Sequence, residues 1–295
     1  MAYRKRERAV TDVQVVRAVT ILFVFLLVTI ILIPWQESAI RFGLKRRKTF
    51  PNRYHRFLCR LFGIRVTVVG RPIQSRGVLM VSNHTSYFDI LVFSAVARVS
   101  FVAKHEVAKW PLFGTLARLQ ETVFIEREKR SQTLEARDVI HKRLLQGDAL
   151  VLFPEGTSDD GNKVLPFKSA LLGAAELELG VDAQGRILHV PVQPVSIAYV
   201  GLYGLPMGRD LRPLIAWYGD MELVPHLWEA LTTGPIEAVV EFHEPLSLDE
   251  ENGRKTLAVA AETRVRRGQA RALAGASVEQ SVPISAQQKI VGVAA

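Results

Sequence analysis

A chain of 295 residues, 48% of them hydrophobic and with a single cysteine, can bury a sizeable core but can form neither an intrachain disulfide nor a multi-cysteine metal site. Its formal charge of +9 invites nucleic acid or an anionic membrane as a partner. The distribution argues against nucleic acid: residues 1–60 hold thirteen Lys and Arg against three acids, so residues 61–295 sum to about −1, whereas a nucleic-acid binder spreads basic residues over its body.

The excess charge flanks Ala18–Trp35, "AVTILFVFLLVTIILIPW", which carries no charged residue. About 20 apolar residues span a bilayer core, so this run is marginal for a span. Trp35 ends it, where an interfacial aromatic belongs. A cleaved signal peptide needs a small-residue site after the run, and "IPWQESAIRF" offers a weak one. A buried core helix has no need of basic clusters at both ends. The reading favoured is a membrane anchor, spanning or dipping into one leaflet. Residues 41–56 would meet anionic lipid, with Phe42, Leu44, Phe50 and Tyr54 as interfacial contacts. Basic clusters on both sides leave the positive-inside rule without a direction. The lone Cys59 fits a reducing, cytoplasm-facing compartment, which gives the inner cell membrane with the body on the cytoplasmic side.

After the anchor, strands and helices alternate. "GIRVTVVG" (63–70) has the period of a half-buried strand and "GVLMVSN" (77–83) the continuous apolar character of an interior one. "SYFDILVFSAVARV" reads as a helix that Thr85 or Ser86 could cap. "SFVAK" is a short strand, "VAKWPLFGTLARL" an irregular helical piece, and "ETVFIER" (121–127) a strand. Residues 131–146 form an amphipathic helix with Leu134, Val139, Leu144 and Leu145 inward, Arg137, Asp138, Lys142 and Arg143 outward, and Gly147 at its end. "DALVLFPEG" is a strand running into a turn, "FKSALLGAAELEL" a helix, and "ILHVPVQPVSIAYV" and "IEAVVEFHEPL" are strands. This order predicts an α/β fold: a single mixed sheet covered by helices, preceded by an N-terminal hydrophobic membrane-anchoring helix. The expected units are the anchor (1–60), an α/β domain (61–262) and a C-terminal tail (263–295), a frayed helix followed by a flexible segment.

Three polar clusters end strands: Asn83-His84, Glu126-Arg127 and Glu155-Gly156-Thr157. Active residues of open α/β sheets gather at carboxyl ends of strands, so the convergence is informative. In one continuous helix His84 and Asp89 would lie roughly 140° apart and not meet. With His84 in the loop before the helix, its ring can fold onto the carboxylate, which orients the imidazole as in a catalytic triad. No G-x-S-x-G elbow supplies a nucleophile. A dyad without one suits a general base acting on a substrate hydroxyl. The plainer alternative keeps Asn83-His84 as a helix cap and Asp89 as a complement to the helix dipole.

"NHTSYFD" resembles the N-H-x-x-x-x-D motif of the glycerolipid acyltransferases, the lysophosphatidate acyltransferase-like enzymes. "VFIERE", "LFPEGT" and "VPVQPVSI" resemble that family's second, third and fourth motifs, in family order, over roughly residues 60–245. The resemblance implies an enzyme that transfers an acyl chain to a lysolipid hydroxyl without a cofactor or acyl-enzyme. Acyl-coenzyme A or acyl carrier protein would be the donor, and membrane lipids the surroundings. On this resemblance His84 would be the base, Asp89 its orienting acid and Arg127 the head-group contact. Glu155, Gly156 and Thr157 would shape the acceptor site, with Lys104 and Lys168 as lesser anion contacts. Pro191 and Pro194 would shape an edge or irregular strand. The family's F-P-E-G-T-R departs here to "FPEGTSDDG", with Ser158, Asp159 and Asp160 where an anion-binding arginine is usual.

The expected acceptor is 1-acyl-glycerol-3-phosphate. The alternative, which the departure makes a serious runner-up, is a lyso-ornithine lipid whose ammonium the acids could meet; the acids could equally be surface loop residues. A non-enzyme alternative is a membrane-anchored lipid-binding protein. "GTSDDGNK" misses the P-loop spacing and "KHEVAKW" is not H-E-x-x-H, so nucleotide-phosphate and zincin readings fail.

Overall fold

The charge-free run lies inside a longer helix, α1 (Asp12–Arg41), opened by a capping box in which Thr11 Oγ1 accepts from Gln14 N and Gln14 Oε1 from Thr11 N. The computed structural model describes residues 11–73, 77–125, 130–181, 185, 187–276 and 282–283. Ala18, Ile21, Phe25, Thr29, Gln36 and Ala39 recur on one stripe of α1 and are buried. Val13, Val16, Phe23, Ile30, Ile31 and Trp35 are more than half exposed. Among the described residues α1 is the one helix long and apolar enough to cross a membrane.

The buried stripe of α1 rests on the body. Arg17 donates to the carbonyls of Leu231 and Phe62, and Gln36 Nε2 to those of Arg47 and Leu119. Helix α2 (Arg46–Phe62) follows, and its Leu58, Cys59 and Phe62 join Ala18, Ile21 and Phe25 in one core with the sheet. The basic stretch divides accordingly. Arg47 pairs with Glu121 and Lys48 with Asp148, while Arg41, Lys45, Arg46 and Arg53 stay exposed. Phe42 and Leu44 are exposed as expected of interfacial contacts. Phe50 and Tyr54 instead turn inward against α1, the Tyr54 hydroxyl meeting Thr29 Oγ1 at 2.5 Å.

The strands are β1 (Ile64–Val69), β2 (Val78–Ser82), β3 (Ser100–Lys104), β4 (Val123–Ile125), β5 (Ala149–Leu152), β6 (Glu178–Val181), β7 (Ile187–His189), β8 (Val192–Leu202), β9 (Leu205–Pro206), β10 (Ile236–Phe242) and β11 (Val282–Pro283). The main sheet runs β11-β1-β10-β8-β2-β5-β3-β4, with β9 on β8. Strands β8, β2, β5, β3 and β4 are parallel, and β10 is antiparallel to β8, so the sheet is mixed. Alternation within β2 sends Val78 and Met80 to the core under α1, α2 and α3 (Phe88–Val96), and Leu79 and Val81 to the core under α5 (Arg130–Leu145) and α7 (Arg254–Leu273). Helices therefore cover both faces, as burial of an interior parallel strand requires. Between β3 and β4 lie a 3₁₀ turn (His105–Lys109) and α4 (Phe113–Leu119), and α6 (Leu223–Thr233) precedes β10.

Several local expectations are corrected. "FKSALLGAAELEL" is a 3₁₀ stretch, Ser169–Glu176, followed by β6, because residues 178–181 find a hairpin partner in β7. Among the described side chains of α5 the inward ones are Ala136, Ile140 and Leu144, whereas Val139 and Leu145 are exposed; Leu134 lies outside the described side chains. Arg143 is drawn inward by Asp148 Oδ2 and Ser100 Oγ, both at 2.8 Å. Pro194 sits in an interior strand rather than at an edge. His243 N donates to Pro194 O, and His243 O, which an N–H at position 194 would ordinarily meet, accepts from Gln193 Nε2 instead. The helix expected to fray from Thr263 is continuous to Leu273. Gly268 lets it close on β8, since a Cβ there would lie 2.3 Å from Ser196 Oγ. Tail residues 277–281 and 284–295 lie outside the described residues.

Candidate active site

Strand β2 is buried at all five positions and ends at Ser82, so the next residues leave the carboxyl edge of the sheet. Asn83 does not cap a helix. Its Oδ1 accepts from Ile197 N and its Nδ2 donates to Ile197 O, both at 2.9 Å, which prolongs the β2–β8 ladder by a side chain. The chain then turns at His84 before α3 begins.

Asp89 lies in the first turn of α3 and is fully buried. Its Oδ2 accepts from Thr85 N at 2.7 Å, Ser86 N at 3.0 Å and His84 Nδ1 at 2.9 Å. Its Oδ1 accepts the Tyr199 hydroxyl at 2.7 Å. Thus one carboxylate both satisfies amides ahead of the helix and holds the imidazole. Capping by the Thr85 or Ser86 side chain, as expected from sequence, does not occur. With Nδ1–H donated to Asp89, Nε2 carries the lone pair. His84 is partly exposed, and its ring stacks on Phe153, centroids 4.2 Å apart and 17° from parallel.

Phe153 follows β5, the neighbour of β2, and leads into the second cluster. Glu155 is 2% exposed, with Oε2 accepting from His84 N at 3.4 Å and Oε1 from Leu165 N at 3.2 Å. Burial pushes its carboxyl up to about 8; the two backbone N–H groups oppose the rise, and the Asp89 and Asp159 charges add to it. Gly156 makes the turn with φ +74° and donates to Phe153 O, and Thr157 is exposed. Asp159 N donates to His84 O at 3.2 Å and Trp217 N to Thr85 O at 2.9 Å, so the acidic loop and the segment before α6 both border the His84 turn. Ser158 Oγ donates to Trp217 O.

The fold therefore brings together His84, Asp89 and Glu155, with Gly156 and Thr157 on the adjoining turn. Lys104 is exposed at the carboxyl end of β3, two strands from β2 on the same edge. Lys168 is exposed, its backbone donating to Pro154 O. Arg127 lies outside the described residues. Sequence reasoning missed Tyr199 and Phe153. A tyrosine in an interior strand was the available signal, because a buried hydroxyl needs a partner. Phe153 carried none beyond its place beside Pro154-Glu155.

The family model described as Acyltransferase matches residues 65–198. Over 252 residues the chain is 48% identical to lyso-ornithine lipid O-acyltransferase of Brucella abortus, covering 85% of this chain and 92% of that relative. The chain belongs to the lysolipid acyltransferase family. It is also 32% identical over 176 residues to 1-acyl-sn-glycerol-3-phosphate acyltransferase of Neisseria gonorrhoeae, 59% of this chain and 63% of that one. The crystal structure of the 1-acyl-sn-glycerophosphate acyltransferase PlsC from Thermotoga maritima matches with a TM-score of 0.58 at 22% identity, over 90% of this chain and 99% of that one, and so shares its fold. The enzyme is an acyltransferase of lysolipid type, as the four motifs in the sequence implied.

Proposed function

We propose that the enzyme transfers an acyl chain from an acyl thioester to the free hydroxyl of a lyso-ornithine lipid at the cytoplasmic face of the inner membrane. The observation that carries this reading is the 48% identity with the Brucella abortus enzyme over most of both chains. It supports this acceptor over glycerol phosphate, the acceptor expected from the motifs. Local chemistry agrees: "TSDDG" lacks the usual arginine, and Asp159, bonded to the His84 carbonyl, brings a carboxylate next to the reacting turn. An ornithine ammonium suits that charge better than a phosphate does.

In the mechanism His84 Nε2 takes the proton of the acceptor hydroxyl as its oxygen attacks the thioester carbonyl. Asp89 fixes the tautomer and stabilises the imidazolium. The tetrahedral intermediate expels the thiolate of coenzyme A or acyl carrier protein, which recovers the proton from His84. Glu155 braces the His84 turn from beneath, and Arg127 and Lys104 supply positive charge for the carboxylate of the head group or for the donor. The exposed stripe of α1, with Phe42, Leu44 and the exposed cations Arg41, Lys45, Arg46 and Arg53, meets the lipid.

The test is an assay of purified full-length enzyme against lyso-ornithine lipid and lysophosphatidate, with His84→Ala as control. Saturable transfer to lyso-ornithine lipid, lost in His84→Ala while membrane association persists, is the expected result. Transfer to lysophosphatidate alone would return the acceptor to glycerol phosphate. Activity surviving in His84→Ala would remove the general-base assignment.

A further inference from the structure

Asp89 is a buried anion with four donors around it, and the fourth reaches it from across the sheet. Three belong to the His84 turn itself: the imidazole and the amides of Thr85 and Ser86. Tyr199 stands on β8, two residues beyond the Ile197 backbone that clamps Asn83. It is 3% exposed and its hydroxyl donates to Asp89 Oδ1, the oxygen that the imidazole does not use. We infer that Tyr199 is a positioning residue of the dyad, whose hydrogen bond sets how strongly the Asp89 carboxylate holds the His84 ring.

The physical reason is competition for charge. A carboxylate that donates part of its electron density to one hydrogen bond attracts an imidazolium less through its other oxygen. The phenol is suited to the task. Burial, and then the Asp89 charge, keep it protonated far above its ordinary range, so it remains a donor at every working pH. The other titratable groups near the pair are Cys59 from α2, Tyr87 ahead of α3, and Glu155 and Asp159 after β5. Burial holds Cys59 up at about 12 and Tyr87 higher, so neither ionises near neutrality, and Glu155 at about 8 acts on the alkaline side. Asp159 is common to the wild type and the Tyr199 variants, so a difference between their acid limbs reports the dyad. The inference rests on the reading of His84 as general base.

The experiment measures kcat/KM from pH 5 to 9 with full-length enzyme, using lyso-ornithine lipid or lysophosphatidate, whichever the wild type acylates. It compares wild type, Tyr199→Phe and a chain carrying 3-fluorotyrosine at position 199. Without the phenol the carboxylate holds the imidazolium harder, so the acid limb of Tyr199→Phe should rise by about half to one pH unit. The fluorinated phenol is a stronger donor and should lower it. A residue that merely packs would change yield or melting temperature and leave both limbs in place, and that result overturns the inference. If Tyr199→Phe fails to fold, the fluorotyrosine enzyme decides alone. His84→Ala run alongside separates the two failures: an inactive His84→Ala with unmoved limbs removes only the role of Tyr199, whereas an active one removes the base itself.

Discussion

The imidazole of His84 lies face to face with the ring of Phe153, at 4.2 Å between centroids, while Asp89 holds its edge at 2.9 Å. One contact fixes the plane of the ring and the other its rotation, and they arrive from the turn after β5 and from the first turn of α3. Phe153→Ala should therefore leave the dyad present but loose. A misplacement of about 1 Å costs on the order of 100-fold in rate. A fall of roughly 10- to 100-fold in kcat/KM, with a small loss of melting temperature, is expected from steady-state assays and thermal melts.

Asp89→Asn alters a group with four donors around it. The amide can accept on one side only, so at least one buried donor is left without a partner and the wrong tautomer of His84 is favoured. By analogy with triads that lose their acid, kcat should fall by about 10³- to 10⁴-fold. Unfolding in denaturant should show a loss of about 2–3 kcal/mol. Wild-type activity in this variant would mean that the carboxylate serves the helix start alone.

Glu155 gives stability a pH dependence. The folded protein keeps this proton to about pH 8, while an unfolded glutamate releases it near 4.5. Between those values the native state binds more protons than the unfolded one, so stability falls as pH rises. The loss between pH 5 and pH 8 is on the order of 3 kcal/mol. Glu155→Gln cannot ionise, and its stability relative to wild type should improve steadily over that window in melts at fixed ionic strength. A constant difference from pH 5 to 8 would contradict the assignment.

Asp159 probes the head group. Asp159→Asn keeps the backbone bond to His84 O and removes one charge near the turn. It should lower kcat/KM for lyso-ornithine lipid by about tenfold and leave lysophosphatidate unchanged or improved, the equivalent of about 1.4 kcal/mol. Equal losses on both acceptors would speak for a loop role only.

The outward stripe of α1 predicts how the enzyme sits on lipid. Ile30→Glu or Phe23→Lys places a charge where the native residue is 64% exposed. A charge in the bilayer costs about 2.5–3.5 kcal/mol, so vesicle co-sedimentation should weaken roughly 100-fold while detergent-solubilised activity persists.

Much of this was legible in the sequence. The interior strand β2 announced itself as an unbroken apolar run, and the polar residues that end it marked the edge where His84 and Asp89 meet. The His84–Asp89 contact was readable because a spacing of five excludes a shared helix face but suits a loop-to-helix return. What local pattern could not supply was pairing between distant segments. Glu178 and Leu179 read as helix because their hairpin partner lies beyond the window. Pro194 read as shaping an edge or irregular strand because the amide that replaces its missing donor belongs to the side chain of Gln193. The choice between cap and dyad was never a choice, since Asp89 performs both with one oxygen.

The way α1 is built into the body bears on how the enzyme can be handled. A truncated chain begun after residue 41 in search of a water-soluble fragment would lose Ala18, Ile21 and Phe25 from the shared core, together with the Arg17 and Gln36 bonds to the carbonyls of Phe62, Leu231, Arg47 and Leu119. It would expose the apolar faces of α2 and α6 and aggregate. Solubility has to be engineered by recolouring the outer stripe of the helix, with its inner stripe kept as the floor on which the rest is laid.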